Sequence, residues 1–230
     1  MIPATLPFGA EIGEDGVWCQ VLTRIPGAQR RPALFLDRDG VMVEEVHYLH
    51  TVRDMRLMTG VIDLIKRANA LSVPCVVVTN QAGIGRNIFE WTAFIDVQEA
   101  MLDALAAGGA YVNAVYACPH IGGGRAPYDV ADHPARKPNP GMLLSAADMM
   151  PIDLAGSWII GDRAGDMVAA KRAGCAGGVH VLCGHGSNSG ERTAAMEART
   201  AAFDVKGAQD TNAATGLIPL LNITTNEENS

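Results

Sequence analysis

Ala33-Leu-Phe-Leu-Asp37-Arg-Asp39-Gly40 is an apolar run that ends abruptly at two carboxylates and a glycine. A segment of this kind suits a strand buried on both faces of a parallel sheet. Polar groups at the carboxyl end of such a strand sit where open α/β sheets bind ligands. Asp37 and Asp39 would leave the strand together, one able to attack an electrophile and the other to move a proton. The same residues also suit a plain turn, since Asp and Gly are favoured there. The rest of the chain decides between the two.

Downstream of this run, strand and helix patterns alternate. Val61, Ile62, Leu64, Ile65 and Ala68 share one helical face, and Pro74-Cys-Val-Val-Val-Thr79 follows as a second buried strand. Helical spacing returns over residues 90–107, a third strand is expected over 110–117, and a helix near Pro140 precedes a fourth strand at 157–161. A helix through 167–173, a strand near 178–182, a polar loop and helix over 184–200 and a last short element at 217–221 complete the pattern. Such alternation predicts a three-layer α/β/α fold, Rossmann-like, with a mainly parallel central sheet. The spacing leaves no room for a large cap domain, so loops alone should cover the site. Residues 1–31, with Pro3, Pro7, Gly9, Gly13, Gly16, Pro26 and Gly27, predict an extended arm packing on the core, with a short strand within 17–22. One domain over 32–222 and a flexible tail over 223–230 account for the remainder.

The chain has 230 residues, 48% hydrophobic and 19% charged, as expected of a globular protein. No apolar run is long enough to span a membrane, and the first thirty residues lack a secretory pattern, so a cytoplasmic location is expected. The five cysteines are odd in number and scattered, which argues for reduced thiols. A net charge of −7 and the lack of a basic stripe disfavour nucleic acid and anionic membrane as partners. A small phosphorylated metabolite is the partner expected, with the chain a monomer or weak homo-oligomer.

Four expected strand ends or loops carry complementary polar groups. The first has Asp37 and Asp39; the second, Val78-Thr79-Asn80-Gln81, sets a hydroxyl beside a free backbone N–H suited to a phosphate oxygen. The third, Arg136-Lys137-Pro138-Asn139-Pro140, stiffens a cation pair with two prolines, and the fourth places Asp162 and Asp166 where a helix begins. Each has a plain structural explanation as a turn, cap or surface pair. Jointly they fit phosphoryl transfer: Asp37, the Asp39 carbonyl and Asp162 around Mg²⁺, with Lys137, Thr79 and Asn80 on the transferring group. In that chemistry Asp39 carries a proton while Asp37 stays ionised. A non-catalytic phospholigand-binding protein is the other class, and the presence of Asp37, Asp39 and Lys137 together argues against it.

The segments Asp37-Arg-Asp-Gly40, Thr79-Asn-Gln-Ala-Gly-Ile-Gly-Arg86, Cys118-Pro-His120, Arg136-Lys-Pro-Asn-Pro-Gly-Met142 and Gly161-Asp-Arg-Ala-Gly-Asp-Met167 occur in this order within residues 33–182. Together they resemble the haloacid dehalogenase superfamily, in the branch of the heptose 1,7-bisphosphate and histidinol-phosphate phosphatases. The resemblance implies a phosphomonoester hydrolase in which Asp37 forms an aspartyl-phosphate and Asp39 serves as acid, then base. It implies a Mg²⁺ site at Asp37, Asp39 and Asp162, with Thr79 and Asn80 on the phosphate and Lys137 on its charge. Arg86 and Arg136 would contact substrate beyond the reacting phosphate, and Asp166 would orient Lys137 or a metal-bound water. A heptose 1,7-bisphosphate losing its 7-phosphate is the leading substrate, with histidinol phosphate the alternative.

One departure stands out. The family often carries zinc on Cys-x-His and a later Cys-x-Cys, but here the second half reads His133-Pro-Ala135. Loss of zinc is the expectation, with Pro127, Pro134 and packing shaping the loop. A remnant site of Cys118, His120 and His133, with Asp132 as a fourth ligand, is the alternative.

Overall fold

The computed structural model describes residues 2–3, 5–25 and 27–222. Pro26 and the expected tail over 223–230 lie outside the described residues. Strand β3 (Leu34–Leu36) is fully buried on both faces. Leu34 and Leu36 enter one core cluster and Phe35 the other, as alternation along a strand requires. The six central strands pair in parallel in the order β5 (Ala114–Cys118), β4 (Cys75–Asn80), β3, β6 (Trp158–Gly161), β7 (Gly177–Val181), β8 (Asp204–Ala208).

Two helical layers cover this sheet. Val61, Leu64, Ile65 and Ala68 of α1 (Val61–Ala70) pack with Trp91, Phe94, Val97 and Met101 of α3 (Trp91–Ala107) over Leu34 and Leu36. The short α2 (Ala82–Gly85) lies between β4 and α3 in sequence. On the opposite face, Met142, Leu143 and Ala146 of α4 (Gly141–Met149) join Met167, Ala169 and Ala170 of α5 (Ala164–Ala173) and Ala195 of α6 (Glu191–Glu197) around Phe35. Small alanines on α5 allow close approach to the sheet. The last helix, α7 (Thr211–Thr215), adds Ala214 to the first layer. The fold is thus three-layer α/β/α, and loops border the site without an inserted cap domain among the described residues.

The chain runs from β3 outward through β4 and β5, then crosses to β6 on the other side of β3. That reversal leaves a crevice between β3 and β6 at their carboxyl ends. Asp37 and Asp162 immediately follow these two strands, and the Asp37 N–H continues the ladder to Ile160 O at 3.0 Å.

The N-terminal segment enters the sheet itself. Strands β1 (Ala10–Ile12) and β2 (Trp18–Val21) form a hairpin, and β2 pairs antiparallel with β5. Trp18 is fully buried, stacked on Trp91 with ring centres 5.7 Å apart and edge-on to Phe94. Two further elements differ from expectation: β8 occupies a stretch with no strand signal, because Asp204-Val-Lys-Gly-Ala buries only Val205 and Ala208. Helix α5 begins at Ala164, earlier than expected, since the Asp166 carboxylate reaches back to accept the Arg163 N–H at 3.0 Å.

Leu36 presses against both neighbouring strands from the middle of the sheet. Leu36→Ala should cost about 2–5 kcal/mol of unfolding free energy, read from urea denaturation. A loss under about 1 kcal/mol would place the core elsewhere.

Candidate active site

Lys137 is the hub of the site. The rigid Arg136–Pro140 loop after β5 delivers its ammonium into the crevice, where it meets Asp166 Oδ1 at 2.6 Å, Asp37 Oδ1 at 2.9 Å and Val78 O at 2.8 Å. These three partners match the three donors of an ammonium. Burial alone would lower Lys137, but Asp166 and Asp37 beside it hold it well above the ordinary lysine range. Asp166 is fully engaged, since its second oxygen accepts the Arg163 N–H at 3.0 Å.

Asp162 approaches from β6 and accepts the His185 N–H at 2.7 Å. Its carboxylate fits only because residue 40 is glycine: a Cβ there would lie 2.5 Å from Asp162 Oδ2, and the backbone has φ +81°. One oxygen from each of Asp37, Asp162 and Asp166 lies within 4.8 Å of the others. Burial pushes Asp37 up to about 7, with Lys137 opposing and Asp166 adding. Burial likewise pushes Asp162 up to about 8, with Asp37 and Asp166 adding. Three buried acids against one lysine are short of positive charge. The all-oxygen donor set of Asp37 and Asp162 therefore fits a hard divalent cation such as Mg²⁺.

Asp39 lies beside this cluster in a clamp of its own. Buried Arg38 grips it at 2.9 and 3.1 Å through Nη2 and at 3.2 Å through Nε, while its guanidinium rests 5.5 Å from the Phe94 ring centre. Gln81 Nε2 donates both to Asp39 Oδ2 at 3.0 Å and to Thr79 Oγ1 at 2.9 Å, tying the two together. Neither Arg38 nor Gln81 was among the expected site residues. Their place inside the Asp37–Gly40 and Thr79–Arg86 motifs is the one signal that could have marked them.

Asn80 reaches the crevice by another route. Its carboxamide donates to Lys137 O at 2.9 Å and accepts the Lys137 N–H at 3.1 Å, so it clasps the lysine backbone. The free N–H expected beside Thr79 is also displaced, because β4 continues through Asn80 and the Gln81 N–H bonds Cys118 O at 2.7 Å. The first-turn N–H groups that a helix start leaves without intrahelical partners belong here to α2, whose Ala82 and Gly83 line the cavity.

A cavity of about 500 Å³ opens over these groups. Arg86, Arg136 and Arg163 line it, along with Glu45, Tyr48 and His185. Burial lowers Arg136, and positive Arg86 and Arg163 add to that effect, which marks a concentration of positive charge on one wall. Arg163 was not anticipated; it is the helix cap preceding α5 and carried no separate signal. Glu45, pushed up to about 7 by burial with Asp39 adding, meets His185 at 3.3 Å across the cavity.

Cys118, His120 and His133 do come together, but they do not fit a zinc ion. The two imidazoles stack at 3.8 Å, tilted by only 5°, so their in-plane lone pairs run side by side rather than converging. His133 Nδ1 accepts the Ala135 N–H at 3.1 Å, and the Cys118 sulfur is 3.9 Å from that nitrogen. Asp132 is turned to Asn139 Nδ2 at 2.6 Å. Among the described residues, the only metal-competent cluster is that of Asp37, Asp162 and Asp166. The remnant site is thus corrected to a histidine stack.

A family model for HAD-like hydrolases matches residues 134–208. A D-glycero-β-D-manno-heptose-1,7-bisphosphate 7-phosphatase of Mesorhizobium japonicum is 42% identical over 165 residues, covering 72% of this chain and 76% of its own. The enzyme of the same name from Escherichia coli K12 is 39% identical over 146 residues, covering 64% of this chain and 76% of its own. Among solved structures, a protein of Mesorhizobium loti described as a HAD-like phosphatase superposes with a TM-score of 0.80 at 35% identity, covering 94% of this chain and 96% of that one. The D,D-heptose 1,7-bisphosphate phosphatase of B. bronchiseptica, solved with magnesium and phosphate, gives 0.67 at 30% identity, covering 80% and 96%.

The raised acids fix the sign of a pH effect. Asp37 and Asp162 hold protons in the metal-free fold between their unfolded pKa near 4 and about 7 and 8, so these groups make stability fall as pH rises through that window. Mg²⁺ should therefore raise the melting temperature more at about pH 8 than at about pH 5. An equal increment at both would exclude a cation bound by this pair.

Proposed function

Because the chain belongs to the haloacid dehalogenase-like hydrolases, we propose that it is a Mg²⁺-dependent phosphatase that removes the 7-phosphate of D-glycero-D-manno-heptose 1,7-bisphosphate. The observation that carries this reading is the convergence of Asp37, Asp162 and Lys137 in one crevice. The names of the relatives supply the substrate, and they do not favour the histidinol phosphate alternative.

Among the described residues, the Asp37 carboxylate is bonded at Oδ1, by Lys137 at 2.9 Å and by the Arg38 N–H at 2.7 Å. Oδ2 is then the oxygen that attacks phosphorus. The phosphorus–oxygen bond to the sugar breaks, Asp39 protonates the departing alkoxide, and an aspartyl-phosphate remains on Asp37. Asp39 next takes a proton from the water that attacks the same phosphorus, which frees inorganic phosphate and restores Asp37. Lys137 balances charge on the phosphoryl oxygens, and the Thr79 hydroxyl donates to one of them. Asp37, the Asp39 carbonyl and Asp162 would hold Mg²⁺, which would offset repulsion between the anionic nucleophile and the anionic substrate.

Asn80, expected on the phosphate, acts in this reading by fixing Lys137, and Asp166 by orienting its ammonium. Arg86 and Arg136, with Arg163, take the part of the substrate beyond the reacting phosphate. A bisphosphate suits a cavity with a cation-seeking acid cluster on one side and arginines on another. Residues 32–222 form one phosphatase unit, to which the N-terminal hairpin adds. The reading includes action in the cytoplasm as a monomer or weak homo-oligomer, with nucleic acid not a partner. No helix among the described residues is long and apolar enough to cross a membrane.

Asp37→Asn should lower kcat by about 10³-fold or more while leaving the metal-free melting temperature at about pH 8 equal or higher, because the amide cannot ionise where burial disfavours the charge. Retained turnover would eliminate the covalent step. With Mg²⁺ present and substrates at equal concentration, heptose 1,7-bisphosphate should be hydrolysed well ahead of histidinol phosphate, as measured by phosphate release. The reverse preference would overturn the substrate assignment.

A further inference from the structure

The loop from Cys118 to Arg136 reaches the cavity, yet no metal-competent group anchors it among the described residues. Beside the Arg125 N–H on Gly85 O at 2.6 Å, two of its anchors lead to the N-terminal hairpin. His120 Nε2 lies 2.7 Å from Asp15 O in the turn between β1 and β2; a carbonyl can only accept, so this nitrogen carries the proton. Gly16, in the same turn at φ +75°, lets Tyr128 close against the hairpin, where a Cβ would lie 2.9 Å from the ring. Tyr128 stands edge-on to His120 with centres 5.5 Å apart, and its hydroxyl accepts the Trp91 indole N–H at 2.9 Å. Trp91 in turn stacks on Trp18 of β2. The hairpin therefore holds the loop twice, through a hydrogen bond and through an aromatic chain.

The far side of this clasp touches the site. His120 O accepts Arg136 Nη1 at 2.8 Å, so the residue gripped by the hairpin also sets the direction of a cavity arginine. We propose that the Gly13–Gly16 turn and the stacked His120 and His133 rings form a metal-free positioning device that aims Arg136 at the substrate. This rests on the reading of Arg136 given above. His120 touches no reacting atom; it acts through the arginine.

The test uses the full chain with His120→Leu and His120→Gln, assayed on the bisphosphate and on p-nitrophenyl phosphate, which has no second phosphate. His120→Leu should raise KM for the bisphosphate by roughly 5- to 20-fold with kcat within about twofold, and leave p-nitrophenyl phosphate turnover unchanged. His120→Gln, which keeps a donor toward Asp15, should recover most of the loss. Added to Arg136→Ala, His120→Leu should cost nothing further, since both act through one contact. Additive losses, equal losses on both substrates, or stoichiometric zinc in the purified protein would overturn the proposal. If the wild type hydrolyses p-nitrophenyl phosphate but ignores the bisphosphate, the substrate reading fails on its own. The clasp is then judged by trypsin cleavage after exposed Arg125: faster cleavage in His120→Leu supports it, and an unchanged rate overturns it.

Discussion

A single buried ammonium holds the site in being. Lys137 spends all three of its donors on Asp37, Asp166 and the Val78 carbonyl, and Asn80 grips its peptide from the other side. Three carboxylates could not crowd this crevice without it, because burial makes their mutual repulsion severe. The lysine therefore does structural and chemical work with one charge: it allows the acids to assemble, and it leaves them still short of positive charge. The remaining deficit is what a divalent cation meets.

Around that pair the protein divides its polar groups by task. Asp37 and Asp162 face the deficit directly, whereas Asp166, Asn80, Gln81 and Arg38 each hold another group in place. The Gln81 carboxamide, bonded to Asp39 and Thr79 at once, couples that carboxylate to the hydroxyl beside it. Such bridging keeps both at a fixed separation without adding charge.

The frame of the fold was legible because its strands are buried on both faces and end in residues that strands do not tolerate. Leu34–Leu36, Cys75–Val78 and Trp158–Gly161 are continuous buried runs; Asp37 and Asp162 directly follow the first and third, and Thr79 follows the apolar part of the second. What escaped depends on partners distant in sequence. Trp18 reveals nothing until β2 meets β5, and Asp204–Ala208 is a strand only because β7 already offers an edge. Asn80 was expected on phosphate because residue type shows what a carboxamide can bond, but not which neighbour claims it first. The histidine stack was hidden for the same reason: Cys118, His120 and His133 have ligand chemistry, and only ring orientation decides against convergence.

The order of the partners along the chain has a consequence for how the molecule forms. Asp37 directly follows the first strand of the parallel sheet, while Lys137 arrives only after α3 and β5, and Asp162 and Asp166 only after β6. Contacts between residues so far apart form late, since the loops they close must first lose their freedom. A partly assembled sheet would thus hold a carboxylate at the end of β3 with water still around it, and would lack both the lysine and the second acid. Activity in a refolding protein should then trail the return of helical and strand signal, making turnover a reporter of the final docking of the β6 half of the sheet onto the first.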